Sequence, residues 1–177
     1  MVLVLPLLTL FACIKPTPPA TAEAGRTITV VSVADGAGVA ATVDTPERFD
    51  SAVLAALSAR GLSPELVQGQ DTLAALSSAR ESSLRVRRLQ GEFVDAMLLV
   101  ETRPGFYAEM NGQYRWVVGV TLTLSSGASR PNQQVVFDVP VFLRYHHQRE
   151  AEAVDAASGV VARRVAELVD DWLRSGG

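Results

Sequence analysis

Histidines, clustered acids and glycine-rich turns are the residues most able to carry chemistry, and this chain has few of each. His146 and His147 are its two histidines. Neighbouring residues on a strand point to opposite faces, so this pair is badly spaced to share a metal. A polar strand-to-helix junction is the simpler role. Asp35, Asp44 and Glu47 can gather at the top of a sheet. Paired acids work as acid and base only when their surroundings separate their pKa values, and nothing in the sequence supplies that. Gly36-Ala37-Gly38 lies several residues ahead of the next helix start, too far for a phosphate cradle. The sequence contains no H-E-x-x-H, G-x-S-x-G, G-x-x-x-x-G-K-S/T or C-x-x-C. It predicts no catalysis, no cofactor and no metal.

Two groups of residues suit contact with a partner instead. Arg103, Phe106, Tyr107, Tyr114, Arg115 and Trp116 bracket a hairpin, and aromatic rings with arginine are what interface centres favour. Part of those rings belongs to a core. Arg80, Arg85, Arg87 and Arg88 form the densest basic run. A solvated helix face explains it most simply, with an acidic partner or anionic headgroups as alternatives.

The lone cysteine has a different context. Residues 1–12 are apolar apart from Thr9 and Pro6. As a helix they cover about 18 Å, short of the roughly 30 Å hydrocarbon core, but they suit the apolar heart of a signal peptide. Leu10-Phe11-Ala12-Cys13 resembles the bacterial lipobox. That resemblance implies a signal peptide over 1–12, lipidation of Cys13, and a membrane anchor made of acyl chains. Ile14, where a retention Asp commonly stands, implies the outer membrane. Residues 13–25 have the Pro/Thr/Ala composition of an extended tether, able to reach about 30–35 Å. An ordinary signal peptide and a buried cysteine in an apolar strand are the other readings.

Residues 26–177 suit one domain. The chain is 48 % hydrophobic and 20 % charged, with a formal net charge of −3. That is enough apolar material for a core, and the acidic balance argues against a nucleic-acid surface.

Local pattern supplies the elements. Residues 26–35 are rich in β-branched residues and nearly continuous in apolar character from Ile28 to Ala34, as a strand covered on both faces would be. Residues 44–61 read as a helix with Thr45 as cap, Pro46 at the first position and Gly61 as stop. Residues 62–68 read as a second strand, and 70–80 as a helix with Asp71 as its cap and Leu73 and Leu76 inward. Residues 81–93 fit either helix or irregular chain. Residues 94–103 form a strand, and Asn111-Gly112 predicts a type I′ hairpin. The next two strands alternate with a period of two, and Pro140 places the last at an edge or a bulge. Val154, Ala157, Val161, Val165, Leu168 and Trp172 mark one face of a closing helix. The predicted order is β-α-β-α-β-β-β-α, an α/β (α+β) sandwich with one mixed sheet and packed helices.

The segments 28–35, 49–67, 94–103 and the closing helix together resemble a group of bacterial envelope domains. The group includes lipoprotein activators of penicillin-binding proteins, the amino-terminal domain of the Tol-system translocation protein, and the curli secretion lipoprotein. The resemblance implies a non-catalytic module that binds an envelope protein. A lipid-transport accessory holding a hydrophobic ligand between sheet and helices is the alternative.

Overall fold

A computed structural model describes residues 26–36, 42–77, 79, 81–90, 96–126 and 131–175. Cys13, the signal and tether segments, and Arg80 lie outside the described residues.

The strands are β1 (Thr27–Asp35), β2 (Thr42–Asp44), β3 (Ser63–Val67), β4 (Ala96–Met110), β5 (Gln113–Ser125) and β6 (Gln133–Leu143). The helices are α1 (Glu47–Ser58), α2 (Gln70–Ser77), α3 (Ser82–Gln90) and α4 (Glu150–Arg174). All strands join one mixed sheet in the order β2-β1-β4-β5-β6. The edge beside β1 is shared: β3 pairs in parallel with Thr27–Val31, and β2 pairs antiparallel with Val33–Asp35. β4 lies parallel to β1 on the other side, and β5 and β6 follow as an antiparallel meander. This is the expected mixed sheet with packed helices, with two elements added. Residues 42–44, for which no strand is expected and of which Asp44 is expected to open the first helix, form β2, and residues 82–90 settle as a helix.

One face of the sheet is covered over most of its length, up to the hairpin end where Phe106 is exposed. Phe49, Val53 and Leu57 of α1 and Val161, Val165, Val169 and Trp172 of α4 pack on Ile28, Val30, Leu98, Val118, Val120 and Leu122. Each such side chain contributes about 1.5–3 kcal/mol when fully buried. Arg60 ties the two helices, donating from Nε to Asp170 Oδ1 at 3.1 Å and from Nη2 to Asp170 Oδ2 at 3.3 Å.

Among the described residues, the other face is covered over β1, the first half of β4 and the end of β5, where Thr123 and Ser125 are buried and Gln90 donates to the Ser125 hydroxyl. There Leu76, Val86 and Leu89 from α2 and α3 pack on Val31, Val33, Met97 and Leu99.

Three local features depart from the sequence reading. Pro46 is the N-cap of α1, and Thr45 gives no cap bond. The Thr45 hydroxyl is spent instead on Ser32 and Asp50, inside a buried polar cluster that Gln68 completes. β4 also runs straight through Pro104 and Gly105. Its pairing with β1 ends at Thr102, so the missing proline N–H falls on a free edge and no ladder bond is lost. The hairpin forms where expected, with φ of 53° at Asn111 and 72° at Gly112, the double positive φ of a type I′ turn. Tyr107 is the extra residue of a bulge, because the register jumps between Phe106 and Ala108.

Candidate functional site

The half-covered face ends in a charged seam. Asp35 closes β1, and Glu101 points the same way from β4 after a run of apolar residues. Arg85 reaches them from α3. Its Nη1 donates to Glu101 Oε1 at 2.8 Å and to Asp35 Oδ2 at 2.9 Å. Its Nη2 donates to Asp35 Oδ1 at 2.9 Å and to Thr42 Oγ1 at 3.2 Å. Its Nε reaches the carbonyls of Ala79 at 2.8 Å and Leu76 at 3.3 Å, at the end of α2. One planar guanidinium thus joins α2, α3, β1, β2 and β4, a geometry that lysine could not reproduce.

This corrects the sequence reading of Arg85 as part of a basic surface patch. Its side chain is 4 % exposed, because it faces the sheet beside Val86 and Leu89 on the inner stripe of α3. Arg87 and Arg88 do lie on the solvent side, where Arg88 Nη1 donates to the Ala75 carbonyl at 2.6 Å. The sequence held a signal for the seam. Glu101 follows Ala96-Met97-Leu98-Leu99-Val100, and an acid within such a strand needs a buried base.

The seam sets the ionisation of its members. Burial pushes the Asp35 carboxyl up, but hydrogen bonds from Arg85 and Thr42 and the charges of Arg85 and Arg103 outweigh it, leaving Asp35 below its ordinary value. Burial likewise works against the Arg85 charge, and its bonds to Asp35 and Glu101 more than restore it. Across the sheet, Asp50 behaves oppositely. Its burial outweighs the bonds from Thr45, Ser32 and Gln68, and its carboxyl is held above the ordinary value.

Beyond the seam the sheet face is open, forming a groove of about 1020 Å³. Its floor includes Gly105, Val117, Gly119 and Thr121, with Glu81, Ser82 and Ser83 on one side and Gln134, Val136 and Asp138 on the other. The in-register row Arg103–Gly119–Asp138 crosses it. Arg103 is 72 % exposed and stands 3.7 Å from Asp35. At the hairpin end, Arg115 lies over the Tyr107 ring at 4.7 Å, and Phe142 is its exposed neighbour in register on β6.

The hairpin group read from sequence therefore divides between two faces. Arg103, Tyr107 and Arg115 share the groove side. Phe106 and Tyr114 take the α4 side, where Phe106 meets the Trp116 ring edge-on at 5.6 Å and Tyr114 packs on the core. Alternation alone separates Phe106 from Tyr107 and Tyr114 from Arg115, and the bulge shifts the register so that Arg115, rather than Tyr114, shares the face of Arg103. His146 and His147 sit exposed in the β6–α4 turn, with His147 stacked on Tyr145. Glu152 closes a capping box at the start of α4, and the backbone N–H groups it accepts from hold its carboxyl below the ordinary value.

No protein-family model and no curated protein matches the chain. Among solved structures, it is similar to a provisionally described lipoprotein of Caulobacter crescentus CB15. The two are 13 % identical with a TM-score of 0.45, over 84 % of this chain and 92 % of that one. A lipoprotein of Neisseria meningitidis is 11 % identical with a TM-score of 0.40, over 80 % and 99 % of the two chains. A minor lipoprotein of Acinetobacter baumannii is 9 % identical with a TM-score of 0.39, over 80 % and 91 %.

Proposed function

We propose that this chain is an outer-membrane lipoprotein facing the periplasm, held by acyl chains on Cys13, and that its folded body is a non-catalytic binding or assembly module for another envelope protein. The anchor rests on the Leu10-Phe11-Ala12-Cys13 sequence and the tether composition behind it. The binding role rests on one observation: half of one sheet face is left open as a groove between α3 and the hairpin. The charged groups nearest to it argue for structure over chemistry, since every nitrogen of the Arg85 guanidinium already donates to a neighbouring oxygen. Exposed Val136 and Phe142 on β6 add apolar contact area beside the groove.

The rival, a hydrophobic ligand held between sheet and helices, is less well supported. Phe49, Leu57, Val161, Val165 and Trp172 fill that layer. A hollow of about 290 Å³ at its end, lined by Ala34, Val43, Pro46 and Val154 among others, is at the low limit of ligand pockets.

Two measurements test the proposal. Labelled palmitate should enter the wild-type protein and fail to enter Cys13→Ser; equal labelling of both removes the anchor. A photocrosslinking residue at Val136 should trap a discrete envelope protein in intact cells, and the same residue at exposed Glu167 on α4 should not. Equal trapping from both positions, or none from either, removes the binding role.

A further inference from the structure

The groove has a chemical bias that names its occupant more closely, and the inference rests on the binding role proposed above. Among the described residues, four carboxylates line it, those of Asp35, Glu81, Glu101 and Asp138, against one guanidinium, that of Arg103. Arg103 is already drawn to Asp35. Glu81 and Asp138 have no ion pair among the described residues. A cluster of acids alone would mean only a solvated surface.

Glu101 makes the difference. Its side chain is 9 % exposed, it lines the groove, and only one of its oxygens is used. Oε1 accepts from Arg85, whereas Oε2 is buried with no hydrogen-bond partner among the described residues. A buried carboxylate oxygen left unpaired is a standing penalty, and such an orphan in a folded protein calls for an explanation. Arg85 has no N–H to spare for it, because its nitrogens are engaged with Asp35, Thr42, Ala79 and Oε1.

We infer that the groove receives an extended segment of a partner protein carrying a lysine or arginine, whose cationic head pairs with Glu101 Oε2. The floor suits a backbone in close approach. Gly105 and Gly119 present no side chain, and a Cβ built on either would meet nothing closer than 3.5 Å. A cation at Oε2 gains a charge-assisted hydrogen bond in a site that excludes water. Unpaired Glu81 and Asp138 steer it in from opposite sides of the groove.

The probe is a seven-residue peptide of alternating threonine and valine with arginine at its centre, paired with the same peptide carrying glutamate there. Each is titrated into the nitrogen-15-labelled full chain in detergent. The arginine peptide should give saturable shifts at the Glu101, Gly105, Gly119 and Thr121 amides, and the glutamate peptide none. Glu101→Gln should weaken the arginine peptide about tenfold, the usual effect of losing a hydrogen bond to a charged group. Gly119→Val fills the floor with a strand-compatible side chain, should keep the dispersed amide spectrum of the folded chain, and should abolish the shifts. Equal response to both peptides, response to neither, or binding that survives Gly119→Val overturns the inference. Shifts at these amides that grow with protein concentration alone would seat a second copy of the chain there, and overturn it equally. Failure of this charge test with success at Val136 crosslinking would remove the basic occupant and leave the binding role standing.

Discussion

The two faces of the one sheet are finished by different physics. Beneath α1 and α4, apolar side chains meet across nearly the full width of the sheet, and stability there comes from area and packing. Beneath α2 and α3, apolar contact stops after Leu99, and a buried ion cluster takes over at the boundary. Beyond it the same strands carry glycine, threonine and exposed valine. A face closed by packing has no use except as a core. A face closed halfway by a charged seam keeps a defined edge, and leaves the rest of its strands available to a partner.

The harshest way to break this contrast is Arg85→Ala. It strands Asp35 and Glu101 without their shared cation, and breaking a buried pair from one side costs about 3–5 kcal/mol. Denaturant unfolding at neutral pH should show that loss. The loss should shrink in acid, as Asp35 takes up a proton and the stranded charge is relieved. The counterpart on the closed face is Leu57→Ala. Leu57 is fully buried, and the cavity should cost about 2–5 kcal/mol. Its loss should not depend on pH. If both variants respond to acid alike, the seam is not what separates the faces.

The legible and illegible parts of this fold follow the same contrast. The closed face was written in the sequence: Phe49, Val53 and Leu57 at helical spacing, and Val118, Val120 and Leu122 at a period of two. Hairpin and edge were legible too, because Asn-Gly and proline constrain the backbone by themselves. The seam was not. Arg85 sits in a run of arginines whose composition reads as solvent-facing, and its partners lie 50 and 16 residues away. Spacing within a helix cannot show that a charge on its inner stripe meets charges from distant strands. The hairpin aromatics failed as one group for a smaller reason. Neighbouring residues alternate faces, and a single bulge at Tyr107 shifts which β5 residues share a face with Arg103. No residue type marks the bulge. The proposed anchor at Cys13 lies outside the described residues, so sequence alone carries it.

The pH dependence of stability sharpens the contrast with opposite signs on the two faces. Asp35, on the seam, has a folded pKa below its unfolded one, near 3.9. Its contribution is complete above that value and is lost as pH falls below about 4, through the folded pKa. Asp50, beneath α1, has a folded pKa above its unfolded one. It takes up a proton in the folded chain first, so its contribution is complete in acid and is lost as pH rises from about 4 through the folded pKa. Asp35→Asn should therefore flatten the decline toward acid, and Asp50→Asn should remove the decline that sets in as pH rises above about 4. Urea midpoints taken at half-unit steps from pH 3 to pH 6 separate the two. Matching changes in both variants would mean that the carboxylates do not differ as their surroundings require.

The smallest effect is the most telling about the open face. Gly119 lies in mid-strand, and a Cβ added there would meet Asp138 Oδ1 at 3.5 Å and the Arg103 carbonyl at 3.7 Å, both ordinary contacts. Its backbone has no positive φ, unlike Gly61 at 76°. Glycine in a strand interior is destabilising by roughly 0.5–1 kcal/mol relative to alanine, and valine is favoured in strands. Gly119→Val should thus leave stability unchanged or raise it by up to about 1 kcal/mol. Gly61→Val, forced into a left-handed conformation, should lower it. A strand that sits more stably with valine but carries glycine is set by something other than folding, and the groove above Gly119 is where that demand arises. If Gly119→Val instead unfolds the chain, the glycine serves the sheet itself, and the open face loses its claim to be a binding surface.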